Sequence, residues 1–137
     1  MKIRLNRSDF DRIAKQARET LPNECCGLLA GHVDGDLKIV QRIYLLTNVD
    51  GSSQHFSMDP KEQLEAVLSM RTLGLKPLGN YHSHPETPAR PSEEDIRLAR
   101  DPKASYLIMS LASGEPSLKA FHIEKGAASL EEIEVLE

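Results

Sequence analysis

Two histidines and an aspartate within residues 80–95 are the side chains of this chain best suited to hold a metal ion. His82 and His84 are two positions apart, and Asp95 follows eleven positions after His84 (95 − 84 = 11). Side chains at i and i+2 of a strand point to the same face, so the two imidazoles would lie side by side. Two neutral imidazoles and one carboxylate form a common catalytic zinc set, with the fourth position left for water. Zinc lowers the pKa of that water to about 7, so the stretch indicates metal-assisted hydrolysis.

The same residues have a structural interpretation that involves no metal. Histidines are common on strands, and the H-x-H spacing alone is a weak signal for a metal site. Ser92 and the three acidic residues after it also suit the start of a helix, because serine is a favoured N-cap and acidic groups favour the positive end of the helix dipole. Capping accounts for the serine and the acids, but it leaves the two histidines unexplained.

Two segments of the chain resemble the JAMM (MPN-plus) metalloprotease family. The string HSHP at 82–85, then six residues, then SEED at 92–95, is similar to the family signature H-[ST]-H-P-x6-S-x2-D. The string PNECCGLLAG at 22–31 resembles the family's upstream segment P-x-E-x-C-G-x-L-x-G and supplies Glu24. Without this resemblance, Glu24 would be interpreted as a solvent-exposed glutamate at the end of a helix.

The resemblance implies a role for each of five residues. His82, His84 and Asp95 would bind one Zn²⁺ per chain. Glu24 would take a proton from the attacking water and pass it to the leaving amine, since one carboxylate can act as base and then as acid. Ser92 would donate a hydrogen bond to the oxyanion that forms at the scissile carbonyl.

The resemblance also implies a fold and a substrate. The expected fold is α/β (α+β layered), a single MPN/JAMM domain over 1–137 with a mixed, curved β-sheet flanked by helices and a cytidine-deaminase-like architecture. The compact chain is most similar to the small stand-alone prokaryotic members, which are associated with ubiquitin-like sulfur-carrier proteins that end in Gly-Gly. The expected reaction is hydrolysis of a peptide or isopeptide bond at such a tail, and the expected partner is the carrier protein or its C-terminal adduct.

Other functions remain open at this point. A zinc deaminase would share the H-x-E at 84–86, but its second half, P-C-x-x-C, is absent. A non-catalytic MPN scaffold would typically have lost one or more motif residues, and here all five are present. Cys25 and Cys26 could suggest a cysteine protease or a thiolate–zinc site; we favour Cys26 as a small apolar core residue and assign no role to Cys25. The remaining histidines have no partner at ligand spacing: His32, His55 and His122.

The bulk properties exclude several classes of protein. The 137 residues suit one domain, and the formal net charge of −4 argues against broad binding to nucleic-acid phosphates. No window has the roughly 18 apolar residues of a membrane span, and no secretory signal is evident at the N-terminus. Adjacent cysteines are poorly placed to form a disulfide with each other, so a reducing cytoplasm is the expected location.

The predicted elements place the motif at the junction of a strand and a helix. Ser8 is the predicted cap of the first helix, and Leu64, Val67 and Leu68 are predicted to share one face of the second. The predicted helices are 8–21, 59 or 60 to about 73, and 92 to about 101. The predicted strands are 26–31, 37–48, 76–84, 105–111, 117–124 and 132–136.

Overall fold

Three helices are interspersed among seven strands in the computed structural model, which describes all of residues 1–137. The helices are α1 (Arg7–Thr20), α2 (Pro60–Leu73) and α3 (Glu93–Leu98). The strands are β1 (Lys2–Asn6), β2 (Cys26–Asp34), β3 (Leu37–Leu46), β4 (Lys76–His84), β5 (Ser105–Ser110), β6 (Ser117–Glu124) and β7 (Ala127–Leu136). None of the three helices is both long enough and apolar enough to span a bilayer.

The strands form one mixed sheet that curves until it closes. Their order is β1-β3-β2-β4-β5-β6-β7, and β1 closes the barrel by pairing in parallel with both β3 and β7. The β4–β5 pair is also parallel, and the remaining pairs are antiparallel. The prediction of a mixed, curved sheet with flanking helices is therefore confirmed, and the curvature goes as far as complete closure.

The barrel core is built from alternating strand residues and one face of α1. Ile3 and Leu5 of β1 are buried, and they pack with Ile13, Ala14 and Ala17 of the helix. Burial of alternate residues is the expected pattern for a strand with one face on the core. The strand β1 was nevertheless missed by the sequence analysis, because its apolar positions are too few to separate it from the start of the first helix.

Three details of the predicted elements are corrected. Asn6 rather than Ser8 caps α1, because the Asn6 side chain accepts a hydrogen bond from the backbone N–H of Asp9 (2.8 Å) while the Ser8 hydroxyl donates to Asn6. The third helix ends at Leu98, well before 101, and the last strand begins at Ala127 rather than at 132.

The apolar stripe of α2 points outward rather than into the core. Leu64 and Leu68 are 59% and 48% exposed, and Val67 is 41% exposed, whereas Ala66 and Met70 are the buried residues of this helix. The helix has the predicted ends, with Asp59 as N-cap and Gly74 in the left-handed conformation at its C-terminus. The periodicity predicted the helix correctly, but not the side of it that packs on the sheet.

Gly27 explains why the upstream segment has a glycine after the cysteine. In the β2–β4 pair, Gly27 lies opposite Tyr81. A Cβ atom at position 27 would collide with the Tyr81 ring and with the carbonyl oxygen of Tyr44. The absence of a side chain at Gly27 therefore lets the buried Tyr81 ring lie across β2, and this packing fixes β4 against β2.

Candidate metal centre and active site

The two motif histidines lie at the carboxyl end of β4, between β2 and β5. His82 and His84 point to the same side of the strand, and their Nε2 atoms are 3.1 Å apart. Both side chains are buried, with 3% and 5% exposure. The structure therefore brings the two imidazoles together as the i, i+2 spacing predicted.

Asp95 completes a set of three donor atoms. Its Oδ2 lies 3.1 Å from His82 Nε2 and 3.2 Å from His84 Nε2. Tetrahedral zinc with ligand distances of about 2.0–2.1 Å has neighbouring donor atoms about 3.3 Å apart, so the separation seen here fits one such ion. These three residues are the group of His, Cys, Asp and Glu side chains in this chain that could hold a metal ion.

Hydrogen bonds prepare His84 for a ligand role. Its Nδ1 lies 2.9 Å from the carbonyl oxygen of Pro88, which can only accept. Nδ1 therefore carries the proton in the neutral ring, which leaves the lone pair on Nε2 for a metal ion; Nε2 donates to Asp95 only while the ring is protonated. His82 has no such partner at Nδ1 and is instead stacked against Phe56, with ring centroids 4.7 Å apart.

Burial and mutual hydrogen bonding shift the pKa values of the three groups. Burial lowers the pKa of His82, against the effect of Asp95. For His84 burial also acts to lower the pKa, but the bonds to Asp95 and Pro88 outweigh it and the pKa is raised. Burial acts to raise the pKa of Asp95, yet the hydrogen bonds from the two histidines dominate and hold it well below its usual range. The carboxylate is therefore ionised at neutral pH, as a ligand must be.

Glu24 lies between α1 and β2 and is buried, with 3% exposure. The interpretation of this residue as a solvent-exposed glutamate at the end of a helix is therefore wrong. Burial raises the pKa of Glu24 to about 8, with smaller effects from the nearby charges of His84 and Asp95. Its Oε1 atom is buried and has no hydrogen-bond partner. A buried carboxyl oxygen without a partner is costly in a structural role and is typical of functional sites.

The backbone on both sides of Glu24 is tied to neighbouring segments. Its N–H donates to the carbonyl oxygen of Ser52 (2.8 Å), and its carbonyl oxygen accepts from the Asn48 side chain (3.0 Å). The N–H of Cys25 donates to the hydroxyl of Ser83 (2.7 Å), the residue between the two histidines. Ser83 therefore connects the segment that carries Glu24 directly to the strand that carries the histidines.

Ser92 is the N-cap of α3, as predicted. Its Oγ accepts a hydrogen bond from the backbone N–H of Asp95 (3.0 Å), and its side chain lies in an exposed part of the chain. Because capping uses the oxygen as an acceptor, the hydroxyl proton remains available for another group.

A cavity of about 370 Å³ opens beside the three donor atoms, within the usual range for small-ligand sites. His82 and Asp95 form part of its wall. Its other sides come from residues 55–58, from α3 and from the strands β5 and β6, and they include the apolar side chains Phe56, Met58, Leu98, Ile108 and Ile123. The candidate metal centre is thus at the edge of a largely apolar pocket rather than on a flat surface.

Several residues of the site have no counterpart in the sequence analysis. Asn48 contacts Glu24 and Phe56 contacts His82, whereas Ser83 contacts the backbone of Cys25, the neighbour of Glu24; only Ser83 lies inside the motif and could have been found there. His55 is hydrogen-bonded to Asp50 (2.9 Å) and borders the pocket. The spacing of His55 from other ligand types predicts no role for it.

The cysteines do not form a chemical site. Both are free and buried, and burial raises the pKa of Cys25 to about 11 and that of Cys26 to about 12. A thiolate is therefore disfavoured at either position. Cys26 is buried as predicted, and Cys25 has a place in the main core cluster.

The comparison with known proteins assigns the chain to a family. Residues 6–124 match the family described as prokaryotic homologs of the JAB domain, and the chain belongs to it. This confirms the JAMM resemblance. The CysO-cysteine peptidase of Mycobacterium tuberculosis is 34% identical over 122 residues, which are 88% of this chain and 82% of that protein. The desampylase of Haloferax volcanii is 35% identical over 105 residues, 73% of this chain and 74% of the relative.

A solved structure shares the fold closely. The solution structure of protein DSY2949 from Desulfitobacterium hafniense superposes with a TM-score of 0.90 at 54% identity, over 98% of this chain and 93% of that one. The predicted class of protein, a hydrolase of the JAMM type, is confirmed by the peptidase relatives.

Proposed function

We propose that this protein is a zinc metallopeptidase in which His82, His84 and Asp95 hold the metal ion and Glu24 and Ser92 assist the reaction. The observation that carries the proposal is the convergence of three donor atoms at 3.1–3.2 Å, two of them on buried histidines, together with a buried and unpartnered carboxyl oxygen of Glu24, whose pKa responds to the charges of His84 and Asp95. A deaminase would need a P-C-x-x-C segment, and the two cysteines here are in the core.

The side chains around the centre suit amide hydrolysis. When bound, zinc would act as a Lewis acid on the scissile carbonyl and would lower the pKa of a water molecule. Glu24 accepts a proton from the attacking water and then donates it to the departing amine. Burial raises the pKa of Glu24 to about 8 in the metal-free chain, and the positive charge of a bound zinc ion would lower it towards the value that a base at neutral pH needs. The Ser92 hydroxyl donates a hydrogen bond to the carbonyl oxygen as negative charge develops there.

The substrate that we propose is a bond at the Gly-Gly tail of a ubiquitin-like sulfur-carrier protein. The names of the relatives support this, since one is a CysO-cysteine peptidase and another a desampylase. The pocket beside the centre offers an apolar wall for the substrate chain, and glycines next to the scissile bond would let an extended tail approach the buried donors. The peptidase relatives and the complete set of motif residues favour an enzyme over a non-catalytic scaffold.

We also propose that residues 1–137 act as one catalytic domain and that the protein works in the cytoplasm. All seven strands contribute to one barrel, which supports the first part. The two free, buried cysteines are compatible with a reducing compartment.

The test is a cleavage assay with zinc-loaded wild type and Glu24→Gln on a carrier protein with an amino acid or peptide joined to its Gly-Gly tail. We expect wild type to release the adduct and Glu24→Gln to bind zinc normally while losing about 10²–10⁴-fold in turnover, the usual contribution of an acid/base group. The matched control is Glu19→Gln, at an exposed position in α1. Full activity of Glu24→Gln would exclude the proposed mechanism. Intact carrier conjugates together with cleavage of unrelated peptides would exclude the proposed substrate.

A further inference from the structure

Asn48 has a side-chain amide whose hydrogen-bonding capacity is fully used. Its Oδ1 accepts from the backbone N–H groups of Asp50 (3.0 Å) and Ser57 (3.1 Å). Its Nδ2 donates to the carbonyl oxygens of Glu24 (3.0 Å) and His55 (3.2 Å). An amide offers two acceptor sites and two donors, so all four are satisfied. The orientation of the amide is fixed, because two N–H groups face the oxygen and two carbonyls face the nitrogen.

The bond to Glu24 is important because the Glu24 side chain has little else to hold it. The carboxyl is buried, and its Oε1 atom makes no hydrogen bond. The position of the carboxyl is therefore set mainly by the backbone of residue 24. That backbone is anchored to the 48–57 segment twice, through the Glu24 N–H to Ser52 and through the Glu24 carbonyl to Asn48.

The other three bonds of Asn48 close the same segment onto itself. They hold the backbone of Asp50, His55 and Ser57 around the Asn48 side-chain amide. The backbone of Asn48 also pairs with that of Met58 in an isolated antiparallel β-bridge. Phe56 lies within this turn and is stacked on His82. One side chain thus joins the segment that carries Glu24 to the segment that packs on a histidine of the candidate metal centre.

We propose that Asn48 is a positioning residue that sets the place of Glu24 relative to His82, His84 and Asp95. It acts through the Glu24 backbone and does not touch the reacting atoms. The inference rests on the proposed peptidase function and adds a residue outside its motif. Since misplacement of a reacting group by about 1 Å can cost about 10²-fold in rate, loss of this anchor should lower kcat.

Two substitutions separate the Glu24 anchor from the general order of the turn. Asn48→Asp removes the two donors, so it breaks the contacts with the carbonyl oxygens of Glu24 and His55, while it keeps the acceptors for the N–H groups of Asp50 and Ser57. Asn48→Ala removes all four bonds. Asp50→Asn is the matched control, because Asp50 holds His55 and Ser57 in the same turn and makes no contact with Glu24.

The experiment measures kcat, KM and zinc content of the loaded variants on a Gly-Gly-tailed conjugate, together with amide hydrogen exchange at residue 24 in the zinc-loaded and zinc-free proteins. For Asn48→Asp and Asn48→Ala we expect kcat to fall about 10–100-fold with KM within about twofold and zinc content unchanged. Exchange at the Glu24 N–H, which donates to Ser52, should be faster in both variants because the Glu24 backbone loses one of its two anchors to the 48–57 segment. Asp50→Asn should keep kcat within about threefold and should exchange like wild type at residue 24.

Three results would overturn the proposal. They are a kcat of Asn48→Asp within twofold of wild type, an equal loss of kcat in Asp50→Asn, and unchanged exchange at residue 24 in Asn48→Asp. The exchange measurement does not depend on activity, so it judges the anchor even if wild type cleaves nothing. An inactive wild type, or a fully active Glu24→Gln, would instead reject the proposed function.

Discussion

Ser92 and Asp95 hold each other in place through two reciprocal hydrogen bonds. The Ser92 Oγ accepts from the Asp95 N–H (3.0 Å), and the Asp95 Oδ2 accepts from the Ser92 N–H (2.9 Å). The same Oδ2 atom faces both histidines. The first turn of α3 thus forms a capping box and also carries a candidate metal ligand, Asp95. The interpretation of SEED at 92–95 as a helix cap is therefore compatible with its interpretation as part of an active site.

Substitutions at Ser92 should separate its two contributions. Ser92→Gly should change the free energy of unfolding by only a few tenths of a kcal/mol, because glycine is an acceptable N-cap, but it removes the hydroxyl and should reduce kcat about 10²–10³-fold. Ser92→Thr keeps the hydroxyl and should restore most of the activity. Denaturant unfolding and steady-state kinetics measure the two effects. A Ser92→Gly variant with full kcat would mean that the hydroxyl only caps the helix.

Removal of a histidine ring should abolish metal binding without unfolding the chain. For His84→Ala we expect the zinc content to fall from near one per chain to near zero, because two of three ligands cannot hold the ion tightly. His122→Ala is the control, since His122 pairs with Glu124 on β6 and is not part of the donor set. Metal analysis after dialysis against a weak chelator makes the comparison. Equal zinc content in both variants would remove His84 from the ligand set.

Zinc itself should stabilise the protein and its removal should lower the melting temperature. A ligand at a thousandfold excess over its Kd raises the free energy of unfolding by about 4 kcal/mol. We expect wild type to show an increase of this order when zinc is added to the metal-free form, and His82→Ala to show little. An equal response in the two proteins, measured by thermal unfolding with and without a chelator, would place the binding site elsewhere.

The buried carboxyl of Glu24 predicts a pH dependence of stability in the metal-free protein. The pKa of Glu24 is about 8 in the folded chain, compared with an ordinary value of 4.5. Between these values the folded state keeps a proton that the unfolded chain releases, so the free energy of unfolding falls as the pH rises through this range. The fall is complete above about pH 8.

Glu24→Gln has no ionisable group at this position and should lack that component of the pH dependence. The difference in free energy of unfolding between wild type and the variant should change by at least about 1.4 kcal/mol between about pH 5 and about pH 8.5, since one pKa unit corresponds to that energy. Urea unfolding of both zinc-free proteins at the two pH values measures it. Parallel pH curves for the two proteins would contradict a raised pKa at Glu24.

The sequence was sufficient to predict that the three candidate metal ligands lie together, because they are close along the chain. One strand and the helix after it carry His82, His84 and Asp95, so local spacing and the family resemblance were enough to predict their proximity. Asn48 and Phe56 were not predictable in this way. They reach Glu24 and His82 only because the 48–58 segment is folded over the end of β4, and single residues far apart in the chain have no recognisable spacing.

In the fold, too, features that depend on neighbouring residues were predicted from the sequence, and features that depend on distant residues were not. Local apolar periods and turn residues located nine of the ten elements, with errors mainly at their ends. Closure of the barrel by β1 depends on pairing with β3 and β7, which no local pattern reports. The outward stripe of α2 has the same cause: the spacing of Leu64, Val67 and Leu68 predicts a helix, but the side that packs is decided by the strands beneath it.

Lys38 should be essential to stability and dispensable for catalysis. This buried side chain of β3 donates to the carbonyl oxygens of Leu78 (3.3 Å) and Lys103 (2.6 Å) and to the hydroxyl of Ser105 (2.8 Å). It therefore links β3 to the beginnings of β4 and β5. Leu78 is near the start of β4, at the opposite end of that strand from His84.

Lys38→Met keeps the length of the side chain but leaves these acceptors without their donor. We expect the free energy of unfolding to fall by about 2–3 kcal/mol, the cost of unsatisfied buried polar groups. The zinc content and kcat of the folded fraction should not change. Lys119→Met, at an exposed position of β6, is the control and should stay within about 0.5 kcal/mol of wild type. If Lys38→Met were as stable as the control, the three bonds would contribute nothing net to the stability of the fold. If it lost zinc while still folded, the two ends of β4 would be coupled.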